Sequence, residues 1–165
     1  MAVDAATDSG SMSIAEKQAA LVAEFGRLPD WESRYKLIIQ KAKALPALPE
    51  IHKVEKNQVR GCASTVWLHA GMRDGKAIYQ ADSDAILVRG LVAILVQIYC
   101  CEKPADILAH DPTFIEELGL NANLSPNRAN GVTAMVKQIK NYALAFQVME
   151  KRGMAPPPID AEVSC

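Results

Sequence analysis

From Thr65 to Met72 the hydrophobic pattern has a period of two, and stretches further out on either side have the period of a helix. Val66, Leu68, Ala70 and Met72 alternate with Thr65, Trp67, His69 and Gly71, as in a strand with one face against a core. Asp74-Gly75 follows, a dipeptide suited to a two-residue type I′ turn, where both central residues need positive φ. Lys76 to Ala81 then reads as the return strand, with Ile78 and Tyr79 on opposite faces. Gln58 to Arg60 is a candidate for a short third strand.

Helical signals bracket this hairpin. Ser13-Ile14-Ala15-Glu16 has the form of a capping box, and Ile14, Leu21, Val22 and Phe25 fall on one face after it. Gly26 and Pro29 close that helix. Asp30 can cap a second, whose stripe is Trp31, Tyr35, Ile38, Ala42 and Leu45, and Pro46 and Pro49 stop it. Beyond the hairpin, Asp82-Ser83-Asp84 offers cap oxygens to Ala85–Tyr99, a run apolar nearly all round and expected to lie under the sheet. Pro104, Asp111-Pro112 and Ser125-Pro126 each open a further helix. The last carries Val132, Met135, Val136, Ile139, Tyr142, Phe146 and Met149 on one face. Two helices, a small antiparallel sheet, then a block of helices is the segregated order of an α+β fold.

At 165 residues and 50% hydrophobic composition, the chain is read as one domain over residues 13–152. Residues 1–12 and 153–165 are read as flexible tails. Residues 1–12 hold no Arg or Lys and lack the form of a signal or transit peptide. The Ala85–Tyr99 run is shorter than the ~20 residues that span a bilayer, and Arg89 interrupts it. With 18 basic and 19 acidic residues and no basic stripe, nucleic acid is not the expected ligand and neither is a membrane. The four cysteines, Cys62, Cys100, Cys101 and Cys165, show no C-x-x-C, and the three histidines are scattered, so zinc has little support. Reduced thiols in the cytoplasm are the simpler expectation. Cys100 and Cys101 are expected to be buried and inert, and Cys165 exposed.

Asn57 to Leu68 reads N-Q-V-R-G-C-A-S-T-V-W-L. Cys62 sits between Gly61 and Ala63, with a strand behind it. Glycine lets the backbone turn and lets another molecule approach. This presents a nucleophile at a loop tip, and it equally fits a half-buried cysteine packed as a small apolar residue. Arg128 stands in the first turn of a helix, where a cation opposes the dipole by roughly 0.3–1 kcal/mol. It is either a functional exception or a surface arginine paired with an acid.

The stretch resembles the SufE family of sulfur-transfer proteins. The family pattern of glycine, cysteine, one residue, serine, one residue, then Val-Trp is met by Gly61, Cys62, Ser64, Val66 and Trp67. Asp82-Ser83-Asp84 with Arg89-Gly90-Leu91 is similar to a second family stretch. Glu117-Leu118-Gly119-Leu120, with Leu124-Ser125-Pro126-Asn127-Arg128 and Gly131, is similar to a third. The likeness runs roughly from Ile14 to Tyr142. It implies a SufE/NifU-like fold, with a small antiparallel sheet packed on several helices. It implies that Cys62 accepts persulfide sulfur from a cysteine desulfurase of the SufS type or a related paralogue, stimulates that enzyme, and passes the sulfur to a downstream Fe–S scaffold. Pyridoxal phosphate belongs to the partner on this reading, and the chain needs no cofactor or metal of its own. Arg128 is placed near the sulfur site, to steady a thiolate or touch the donor, and Asp84 helps hold the cysteine loop.

Two other functions are weighed against it. A metal- or cluster-binding scaffold of the NifU-like kind needs several convergent thiolates or histidines. A cysteine hydrolase needs His52 or His69 beside Cys62.

Overall fold

The computed structural model describes residues 12–161, 163 and 165. The first expected tail therefore lies outside the described residues except for Met12. The fold is α+β, with seven α-helices and one two-stranded antiparallel sheet among the described residues.

Helix α1, Ile14–Gly26, begins with the capping box: Ser13 Oγ accepts from the Glu16 N–H at 3.1 Å, and Glu16 accepts from the Ser13 N–H at 3.0 Å. Helix α2, Trp31–Ala44, is capped by Asp30, which accepts from the Ser33 N–H at 2.8 Å. A linker with two 3-10 turns, Glu50–His52 and Glu55–Asn57, leads to β1, Val66–Arg73, and β2, Lys76–Ser83. Asp74 and Gly75 have φ of 54° and 78°, the geometry of the expected turn. Gln58 makes one bridge to Trp67 and Val59 N–H one bond to Val66, so the third strand is reduced to an isolated bridge.

Helix α3, Ile86–Tyr99, runs through the core, with Val88, Leu91, Val92, Ile94, Leu95 and Ile98 buried. It crosses α2 very closely: a Cβ on Gly90 would lie 2.2 Å from the Ile38 carbonyl oxygen. Three short helices follow: α4, Pro104–Ala109; α5, Phe114–Glu117; and α6, Leu120–Asn123. The helix expected from Asp111-Pro112 starts later, at Phe114. Helix α7, Pro126–Lys151, packs its apolar face against α3 and the sheet, and Tyr79 OH bonds the Ile139 carbonyl at 2.8 Å. No described helix is long and apolar enough to cross a membrane.

Three expectations are corrected. Asp82-Ser83-Asp84 does not cap α3, whose N-cap is Ala85 without a side-chain bond. Asp82 and Ser83 finish β2 instead, and Asp84 follows in the bend before α3. Asp82 is buried and binds inward: it accepts from the Leu48 and Ser83 N–H groups and lies 3.5 Å from both Lys53 and Arg89. Ile78 and Tyr79 do point to opposite faces, yet both are buried, because the sheet is covered on both sides. The second cover is the C-terminal segment, which is packed rather than a flexible tail. The Met72 N–H donates to the Pro157 carbonyl at 2.9 Å, and Ile159 and Ala161 are buried. Gly71 makes room for it, since a Cβ there would come 2.6 Å from Ile159. That packing brings Cys165 to Cys101, and the two form a disulfide with Cα atoms 5.6 Å apart. The expectation of four reduced thiols is corrected with it.

Candidate functional site: a thiol seated on a helix

The loop before β1 lies against the N-terminal half of α7. Gly61 has φ +93°, and a Cβ there would also approach the Ala134 Cβ to 3.3 Å, so the position favours glycine twice over. The Cys62 S–H points at the Gly131 carbonyl, 3.7 Å away. A Cβ on Gly131 would stand 3.6 Å from that sulfur. Gly131 and Ala134, three residues apart and so on one face of the helix, form the small-residue seat for the loop.

Behind the sulfur is a cavity of about 20 Å³ lined by Cys62, Ser64, Val88, Asn127, Arg128 and Met135, among others. That is room for roughly one water-sized atom. Val88 and Met135 make an apolar floor, while Asn127 and Arg128 bring polar groups. Cys62 is half-buried, and that burial pushes its thiol above the ordinary range. The far end of the loop is clamped at Thr65. Its N–H donates to Asp84 Oδ1 at 3.2 Å, and its carbonyl accepts from Ser83 Oγ at 2.8 Å and from the Asp84 N–H at 3.3 Å.

Arg128 is exposed in the first turn of α7, where its N–H donates to the Ser125 cap at 3.3 Å. Among the described residues it has no acidic partner within ion-pair distance. Thus Cys62, Ser64 and Arg128 converge on one cavity, Gly61 turns the loop, and Asp84 stands behind it.

The histidines lie elsewhere. His52 and His69 stack on each other with ring centroids 3.8 Å apart, and neither lines the cavity. Burial, helped by His52 and Lys56, lowers the pKa of His69. Trp67 is half-buried with the Lys53 ammonium 5.6 Å from its ring centroid. Among the described residues no three His, Cys, Asp or Glu side chains gather as a metal-holding group.

The SufE family, described as an Fe-S metabolism associated domain, matches residues 19–143. This chain belongs to the SufE family. Within that family it is 41% identical over 135 residues to an uncharacterized SufE-like protein of Synechocystis, covering 82% of this chain and 85% of that one. SufE-like proteins of Rhizobium meliloti and Rhizobium etli are 39% and 42% identical over 128 residues, with 74% of this chain covered and 91% and 86% of theirs. The fold is similar to the solution structure of a hypothetical protein from Thermus thermophilus. The TM-score is 0.68 at 23% identity, covering 80% of this chain and 96% of that one. SufE membership associates the chain with Fe–S metabolism.

In the sequence Gly131 stands out only as part of a motif. Its contact with the sulfur was unforeseen, although glycine inside a helix signals close approach. Val88 and Met135 carried no signal beyond core periodicity.

The arrangement offers one thiol, a small space beside it, a guanidinium at the rim and no histidine, Asp or Glu in the lining. That suits exchange of sulfur between thiols, which needs a thiolate and an accessible partner sulfur. It does not suit hydrolysis, which needs a base beside the nucleophile.

Proposed function

We propose that this SufE-family chain is a sulfur carrier. Cys62 receives one sulfur atom from the persulfide of a cysteine desulfurase, stimulates that enzyme, and hands the sulfur on toward iron–sulfur cluster assembly. The observation that carries the reading is the seat of Cys62: a single free thiol on a loop, half-buried over a space of about one atom.

The Cys62 thiolate attacks the outer sulfur of the donor's persulfide. The donor S–S bond breaks, its cysteine leaves as a thiolate, and Cys62 holds the new persulfide. The proton from Cys62 goes to solvent or to the departing thiolate. No net oxidation occurs, because the transferred sulfur changes hosts within one oxidation level.

At rest the thiol is held in its protonated form by burial, so attack requires the loop to present it outward or a cation to approach it. Arg128, free of acidic partners among the described residues and lining the cavity, is the cation at hand. The small Gly131–Ala134 seat lets the loop lift without unthreading packed side chains. Pyridoxal phosphate chemistry belongs to the donor, and the reading places both proteins in the cytoplasm. The lack of convergent metal donors among the described residues favours a carrier over a scaffold.

The test is the donor's turnover. With purified desulfurase and cysteine, alanine production rises when this chain is added, and Cys62→Ser gives no rise. Equal stimulation by the serine variant refutes the carrier role.

A further inference from the structure

The disulfide joins two parts of the molecule that cross the hairpin from opposite edges. On the β1 edge, Met72 pairs with Pro158. On the β2 edge, Ala77 pairs with Glu102, and the Cys101 N–H donates to the Ala77 carbonyl at 2.8 Å. Met72 and Ala77 face each other in the sheet. The described residues of this segment, 157–161, 163 and 165, therefore start at one edge, pass over Gly71 with Ile159 buried there, and reach Cys101 beyond the other edge. Arg73 fastens the strap midway by donating to the Ala161 carbonyl at 2.8 Å and to the Val163 carbonyl.

We propose that Cys101–Cys165 is a reversible thiol–disulfide exchange site that clasps this strap across the hairpin, opened by a dithiol reductant. Cys165 is exposed, and the bond borders an open cavity of about 300 Å³ lined by Lys17, Lys76, Cys100 and Glu102. Lys17 is ion-paired to Glu102 and donates to the Cys100 carbonyl at 3.1 Å, which leaves Lys76 as the cation facing an incoming thiolate. That thiolate attacks Cys165 Sγ, the Cys101–Cys165 bond breaks, and Cys101 leaves as a thiolate that takes a proton from water. The reductant's second thiolate then attacks its own sulfur in the mixed disulfide and releases the Cys165 thiolate. Arg73, 3.8 Å from that sulfur, stabilises the charge. Two electrons pass from the dithiol, which ends as a disulfide.

Opening the clasp removes a wall from a second cavity. Asp160 and Val163 line a groove of about 540 Å³ together with Leu45, Pro46, Pro49, Tyr79 and Gln80. The clasp lies on the turn side of the hairpin and Cys62 at the start of β1, so the inference does not rest on the sulfur-carrier reading.

The experiment compares oxidised protein, protein reduced with dithiothreitol, and the variants Cys165→Ser and Cys100→Ser under oxidising conditions. Hydrogen exchange is read at the Met72 amide and over residues 157–165. Reduction and Cys165→Ser are expected to speed exchange by roughly tenfold or more, while Cys100→Ser stays protected. Peptide mapping of the oxidised protein shows the Cys101–Cys165 link, and reoxidation restores protection. Unchanged exchange on reduction overturns the clasp, as does a mapped link between other cysteines or four free thiols in the oxidised protein. Sulfur loading of Cys62 is expected to be equal in the wild type and Cys165→Ser, so failure of the carrier reading leaves this result separable.

Discussion

Cys62 holds its proton because the folded chain removes its thiolate from water, and nothing described donates a hydrogen bond to the sulfur in return. Its alkylation rate by iodoacetamide should rise with pH through a midpoint above the ~8.5 of a free cysteine. The stability consequence has the matching sign. Folding is favoured by the protonated thiol below the unfolded pKa, and that contribution is lost as pH climbs through the raised folded value. A midpoint below the free-cysteine value contradicts the buried-thiol geometry. Gly131 gives a second residue-level prediction. Gly131→Ala should be neutral or stabilise by up to ~1 kcal/mol through helix propensity, since its methyl sits at ordinary contact distance from Cys62. Gly131→Val should push the loop off α7 and raise Cys62 alkylation, with a cost of about 1–3 kcal/mol by denaturation. The Gly61-Cys62 pair could be read from sequence because the exception is local: two small residues around a cysteine before a strand. Its seat on Gly131 could not, because the contact spans 69 positions and depends on how α7 docks.

Helices and hairpin were legible because their signals are also local. The Ser13–Glu16 capping box, the Asp30 cap, the Asp74-Gly75 turn and the Ser125-Pro126 start all act within four residues. Asp82 was misread for the opposite reason. A carboxylate just before a helix looks like a cap, but β2 continues through Ser83 and turns Asp82 inward to Leu48, Lys53 and Arg89. Asp82→Ala should therefore loosen the linker and α3 together, costing on the order of 2 kcal/mol in denaturant unfolding, because Arg89 is left without its carboxylate. Asp84→Ala loses one bond to the Thr65 N–H and should cost about 0.5–1.5 kcal/mol, with faster hydrogen exchange at Thr65. A loss at Asp84 larger than at Asp82 contradicts this division. Gly90→Ala forces α2 and α3 apart, since its Cβ meets the rigid Ile38 backbone at 2.2 Å as well as the Ile38 Cγ2 at 2.5 Å. Its cost should be about 3 kcal/mol or more.

For the molecule as a whole, one sheet is covered on both faces: Tyr79 bonds α7, while Asp82 meets the linker and Gly71 meets the C-terminal strap. The strap escaped sequence reading because Ala155-Pro156-Pro157-Pro158 looks like extended linker, and extended chain is what crosses a sheet edge at Met72. The Cys101–Cys165 pairing escaped because a 64-residue separation carries no spacing rule. Reducing that bond should lower unfolding stability by about 2–4 kcal/mol in a chemical-denaturation comparison with the oxidised protein. The carrier function makes a demand on the whole chain that no fold measurement meets: a second protein's sulfur must end on one atom. The decisive experiment is peptide mass analysis after incubating the chain with a cysteine desulfurase and cysteine. The account predicts one added sulfur, on the peptide holding Cys62 and removed by reductant. An added sulfur on Cys100, Cys101 or Cys165 with Cys62 unmodified, or none at all with an active donor, contradicts it.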